Sequence, residues 1–76
     1  MEQRAQTPAE VGAIVRARRK ALGVTQAELA GLADVGARFI VELEQGKATL
    51  ELGKVLRVFE RLGVQLLARD RGESPR

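Results

Sequence analysis

The 76-residue chain contains no cysteine, histidine, tryptophan or tyrosine. Without cysteine there are no disulfides and no thiolate metal sites, and without histidine there is no imidazole for acid–base work or metal ligation. The two phenylalanines, Phe39 and Phe59, do not alternate with basic residues, which argues against a stacking platform for single-stranded nucleic acid. No apolar run approaches the roughly 20 residues of a membrane span, and Met1-Glu2-Gln3-Arg4 lacks the apolar core of a signal peptide. No nucleophile–base pair or phosphate-cradling loop is present, so the expectation is not an enzyme. A chain this short buries one small core. The composition therefore predicts a single cytoplasmic domain of bacterial type, with no cofactor, no metal, no membrane partner and no small-molecule ligand.

What the chain does have is charge and helical periodicity. Thirteen Lys and Arg against ten Asp and Glu give a formal +3. Arg16, Arg18, Arg19 and Lys20 fall together near the end of the first predicted helix, where cations favour the negative end of the helix dipole and supply a field suited to phosphates. Thr7-Pro8-Ala9-Glu10 has capping-box spacing with proline at the first helical position. Val11, Ile14, Val15 and Leu22 form the expected buried stripe of this helix, which ends at Gly23.

Residues 25 to 46 carry the most specific signal. Thr25 and Glu28 form a second capping box, opening a helix from about Gln26 to Leu32 with Leu29 and Ala30 on its inward face. Asp34 sits where the chain must turn, and Gly36 caps a third helix, from about Ala37 to Gln45, that ends at Gly46. Two short helices joined by a tight turn make a helix-turn-helix, whose second helix would enter a DNA major groove. Thr49 is expected to cap a fourth helix with Leu52, Val55, Leu56, Phe59 and Leu62 inward and Gly63 as its stop; Gly53 within it suggests a close packing contact. The period then changes: Val64, Leu66 and Ala68 alternate with Gln65, Leu67 and Arg69, which is a strand pattern. A lone strand leaves its backbone groups unpaired, so it must find a partner. Residues 1–6 are expected to be a flexible N-terminus, 7–69 the domain, and the charged residues 70–76 a disordered tail.

The run Thr25-Gln26-x-Glu28-Leu29-Ala30, followed by Val35, Ile40 and Glu44-x-Gly46-Lys47, resembles the Cro/cI-type (xenobiotic response element) family of DNA-binding domains. Within it, the segment from Thr49 to Leu67 looks most like the HipB-like antitoxins that repress their own operon and bind a HipA-like kinase toxin. The resemblance implies a mainly α, lambda-repressor-like four-helix domain whose C-terminal strand pairs across a homodimer through Val64, Gln65, Leu66, Leu67 and Ala68. It implies base reading by Gly36, Ala37, Arg38, Val41 and Glu42. Arg38 has a donor fork suited to the guanine O6/N7 edge or to phosphate, while Glu42 could accept from cytosine N4 or orient Arg38. Thr25, Gln26, Lys47, Arg16 and Lys20 are candidate phosphate contacts, with Lys47 alternatively a free surface lysine. Arg19 and Glu44 resemble a pair that bridges the first and third helices structurally, and Phe39 is read as a packing residue.

The resulting expectation is a homodimeric repressor on a palindromic double-stranded DNA operator, acting as the antitoxin of a HipA/HipB-like operon. The alternatives are a protein-binding module that neutralises a kinase toxin with weak or no DNA binding, or a regulator with no toxin. Dimerisation could run through the strand, the fourth helix or both.

Overall fold

The first helix begins where a hydroxyl replaces a missing backbone acceptor. In the computed structural model, which describes residues 2–72, Thr7 Oγ1 accepts the Glu10 N–H at 3.1 Å and the Glu10 carboxylate accepts the Gln6 N–H at 2.8 Å. Pro8, whose absent N–H costs nothing in the first turn, opens α1 (Pro8–Ala21). The Thr25 box closes in both directions, at 3.0 Å to the Glu28 N–H and 2.8 Å from the Thr25 N–H to the Glu28 carboxylate, and starts α2 (Gln26–Ala33). The chain then turns through Asp34 at φ 56°, a left-handed conformation that Asp tolerates better than most residues. α3 (Ala37–Glu44) starts from Gly36 with no side-chain cap, and α4 (Leu52–Leu62) completes the domain.

The core is built from Val15, Leu29, Ile40, Val58 and Leu62, all but completely buried, with Ala30, Ala33, Leu43, Val55 and Phe59 around them. All four helices contribute, as one core in a chain of this size requires. α1 and α3 meet at Gly12. A Cβ there would lie 2.3 Å from the Leu43 carbonyl oxygen and 2.9 Å from that of Glu44, so only hydrogen fits.

Several expectations are corrected. Glu51, not Thr49, is the residue preceding α4; Leu50 is partly buried against the core, which keeps the chain extended past Thr49 and delays the helix. Leu22 lies just beyond the end of α1 and is 46% exposed. On α4 the inward stripe is Val55, Val58, Phe59 and Leu62, an i, i+3, i+4, i+7 set, which leaves Leu52 and Leu56 on its flank and exposed. A Cβ on Gly53 would meet no neighbouring element within 4 Å, so the close contact expected there is found at Gly12 instead.

No strand is present among the described residues. Val64, Gln65, Leu66, Leu67 and Ala68 leave α4 without a ladder partner, because a single chain offers them no second edge. The Val64 N–H closes onto Phe59 O at 2.9 Å, and Arg69 pairs with Glu2 at 3.0 Å on the surface. Residues 2–6 and 70–72 form no helix; Met1 and residues 73–76, with most of the expected tail, lie outside the described residues.

Candidate nucleic-acid interface

The α2–turn–α3 unit is held from behind by cations placed on carbonyl groups. Val35 N–H donates to Ala30 O at 3.0 Å, tying the turn to α2, and Arg57 of α4 donates to Asp34 O at 3.2 Å. Arg18 donates through Nε to Leu62 O at 2.9 Å, meeting the unsatisfied acceptors at the end of α4. Sequence reasoning missed both roles. Such contacts join elements far apart in the chain and leave no local signature.

Arg19 and Glu44 meet across α1 and α3, Nε to Oε2 at 2.6 Å and Nη2 to Oε1 at 3.1 Å, while Arg19 Nη1 also donates to Val24 O at 2.9 Å. Both side chains are nearly closed to solvent. A two-pronged guanidinium–carboxylate pair is the strong form of this contact. Burial pushes the Glu44 carboxyl up, but hydrogen bonds from Arg19 and Gln26 outweigh it and hold the group below the usual carboxylate range. The Glu44 hydrogen bond correspondingly raises Arg19. Gln26, expected to face phosphate, places its side-chain amide on Glu44 Oε1 at 3.1 Å. The amide carries a second N–H, so the residue can brace Glu44 and still offer a donor. Arg16 adds a favourable charge toward Glu44 from the exposed face of α1, with Lys20 one turn along the same face.

The outer face of α3 follows from its inner one. Ile40 and Leu43 turn into the core, leaving Ala37 and Arg38 outward beside the exposed Gly36, with Val41 and Glu42 half-buried. The Arg38 side chain is 90% exposed. Phe39 packs against the core and carries the Lys54 ammonium 5.9 Å from its ring centroid. At the end of α3 the Gly46 N–H bonds to Leu43 O at 3.1 Å and the Lys47 N–H to Glu42 O at 3.0 Å, with Gly46 at φ 84°. This is the Schellman closure, and it folds Lys47 back over Glu42. Lys47 Nζ reaches Glu42 Oε2 at 3.1 Å, and Arg38 Nε lies 3.5 Å from the same oxygen. The hydrogen bond from Lys47 holds the Glu42 carboxyl below the usual range despite its partial burial. Thr25 stays exposed at the start of α2, its hydroxyl oxygen engaged by Glu28 N–H.

The described residues hold no cluster of carboxylates that could bind a metal, and no helix among them is long and apolar enough to cross a membrane. Comparison with known proteins agrees with this geometry. A Helix-turn-helix family model matches residues 15–68. The uncharacterized HTH-type transcriptional regulator y4mF of Sinorhizobium fredii (strain NBRC 101917 / NGR234) is 53% identical over 66 residues, which cover 87% of this chain and 87% of that protein. Among solved structures, a chain of the HipA-HipB-O2-O3 complex superposes with a TM-score of 0.83 at 20% identity, over 92% of this chain and 99% of that one. A HipB-O4 20mer complex gives 0.82 at 20% identity, over 92% and 99%. At that identity the structures speak for the fold, and the family model and the y4mF relative speak for the lineage: the chain belongs to the Cro/cI-type helix-turn-helix family.

Proposed function

We propose that the protein is a sequence-specific transcriptional repressor that binds duplex DNA as a homodimer on a palindromic operator, and that it is the antitoxin of a HipA/HipB-like operon. The observation that carries the reading is the outward face of α3. Small residues at Gly36 and Ala37 let the helix approach base edges closely, and the exposed Arg38 fork stands beside them. Ala37 suits contact with a thymine methyl. Arg16, Lys20, Thr25, Gln26 and Lys47 surround this face and serve as phosphate contacts that set register. The shared fold with HipB, solved in complexes named for HipA and for operator DNA, supports both the operator and the toxin partner.

One recognition helix reads only a few base pairs, so two-fold symmetry is needed for a useful site. The residues 64–68 supply a route. Leu66 and Leu67 are 53% and 71% exposed, and the backbone there has no ladder partner. Pairing with a symmetry mate gives the facing edge of each strand a ladder partner, with Leu66 and Leu67 on opposite faces of the ribbon. The bland surface formed by Gly36, Ala37 and Val41 supports a second reading, a toxin-binding module with little affinity for DNA.

A mobility shift with the duplex upstream of the protein's own gene separates the two readings. A discrete complex of two protomers on that duplex, competed poorly by random DNA, is the expected result. No shift at protein concentrations that bind a kinase partner would favour the second. Leu66→Pro tests the strand, since it removes a backbone donor and an apolar side chain at once. Sedimentation should show a monomer with unchanged helical circular dichroism and sharply reduced operator affinity. A variant that remains dimeric and binds tightly would transfer dimerisation to α4.

A further inference from the structure

Three charged side chains stand on the outer face of α3 and its closing turn, Arg38, Glu42 and Lys47, and a single carboxylate oxygen joins them. Glu42 Oε2 accepts from Lys47 Nζ at 3.1 Å and lies 3.5 Å from Arg38 Nε. The contact is built into the backbone, because the Schellman closure that sends the Lys47 N–H to Glu42 O also brings the Lys47 side chain over the Glu42 carboxylate. Glu42 thus occupies, within the protein, the position a DNA phosphate oxygen would take between the two cations. It also cuts the net charge of this group from +2 to +1.

We infer that Glu42 is a specificity-determining residue: its carboxylate competes with phosphate for Arg38 and Lys47, and gives them up without loss only where a base-edge N–H donor takes their place. On DNA of arbitrary sequence, moving Arg38 or Lys47 onto phosphate strands a half-buried carboxylate in a polyanionic groove, where like charges repel. At a matching site a cytosine N4–H donates to Glu42, so the same carboxylate adds to binding. The residue therefore widens the ratio between matching and random DNA, mostly by weakening the latter. This rests on the DNA-binding reading above.

The test uses two duplexes of equal length and composition, one enriched by the wild-type protein from a randomised library and one scrambled, titrated by fluorescence anisotropy across a salt series. Glu42→Gln keeps the shape and removes the charge. It frees the equivalent of one cation per protomer, so binding to scrambled DNA should tighten about 10-fold per bound protomer near 0.1 M salt, with a salt slope steeper by about one unit per protomer. Affinity for the enriched duplex should rise less or fall, so that selectivity drops about 10-fold per bound protomer. In a Lys47→Ala background the gain on scrambled DNA should shrink, because one of the two cations released is gone. Equal changes on both duplexes, or a loss on both, would overturn the inference and leave Glu42 as a brace for Arg38. Failure of the wild-type protein to enrich any duplex would instead overturn the DNA-binding reading, and this inference with it.

Discussion

Gly12→Ala should destabilise the protein although alanine is the better helix former. In an open helix the exchange would gain about 1 kcal/mol. Here the new Cβ would stand 2.3 Å from Leu43 O and 2.9 Å from Glu44 O, whereas carbon-to-oxygen contacts settle near 3.3 Å. Both obstacles are backbone, so no side chain can swing aside; the end of α3 must retreat from α1 by about 1 Å. That movement loosens Leu43 and Ile40 in the core and stretches the Arg19–Glu44 contact, which spans the same two helices. Overpacking of this kind costs about 1–3 kcal/mol. With the weakened ion pair added and the propensity gain subtracted, the net loss is about 2 kcal/mol. In a domain of this size each kcal/mol moves Tm by about 4–8 °C, so the melting temperature should fall by about 8–16 °C. Thermal unfolding followed by far-ultraviolet circular dichroism at fixed protein concentration measures it, concentration being held because the proposed dimer would melt with mass action. Gly53→Ala is the internal reference: open space surrounds that position, and the same exchange should raise Tm by a few degrees. A Gly12→Ala protein that melts at or above wild type would refute the close approach of α1 and α3.

Arg38→Ala should weaken binding to the enriched duplex by about 1–3 kcal/mol and relax preference at one base pair per half-site, read by binding to single-substitution operators; equal losses on random DNA would reassign Arg38 to phosphate. Lys47→Ala should weaken the enriched duplex more than random DNA, on which Glu42 withholds the ammonium from phosphate, and flatten the salt slope on the enriched duplex by about one unit per protomer, in the same titrations. Glu44→Gln should cost about 3 kcal/mol at neutral pH, since it leaves Arg19 enclosed without a counter-charge. The Glu44 carboxyl is depressed on folding, so its contribution is present above the ordinary carboxylate range and is lost as pH falls through and below it. Urea titrations across that acidic range should therefore show a shallower loss of stability for Glu44→Gln than for wild type, and parallel slopes would contradict the assigned cause.

The parts of this fold that are readable in the sequence are those whose cause is local. Both capping-box spacings need only residues three apart, and each marks a helix start found at Pro8 and Gln26, although only Thr25 and Glu28 close the full box, Glu10 reaching past Thr7 to the Gln6 N–H. The start of α4 is different. Thr49 has the right chemistry for a cap, yet burial of Leu50 decides where the helix begins, and burial is a property of the assembled core. Gly12 carries no local mark at all, because its reason lies on α3, at the carbonyls of Leu43 and Glu44. The Arg19–Glu44 contact is legible only through family resemblance, for the same cause. Alternation at 64–69 is readable, but a strand is a relation between two edges and one chain supplies one edge.

The fate of the basic cluster bears on function in the same way. Four cations end α1, and on charge alone all four belong to a phosphate-binding field. Arg18 is spent on the carbonyl at the end of α4, and Arg19 on Glu44 and Val24. Arg16 and Lys20 remain exposed. On α3 and its closing turn, Glu42 offsets one of two further cations. Around this face the charges left for phosphate are therefore those of Arg16 and Lys20 with a net one from the Arg38–Glu42–Lys47 group, and the sequence-independent affinity contributed here, which scales with phosphates neutralised, is correspondingly small. Two consequences follow from the same scarcity. On the proposed function random DNA should compete weakly, which favours discrimination, and a single protomer should hold its matching half-site weakly, which is where a second protomer would add. If the protein dimerises through residues 64–68 as proposed, dimer formation and occupancy of the operator are coupled equilibria, and any partner that covers or releases that segment also sets how much operator is bound.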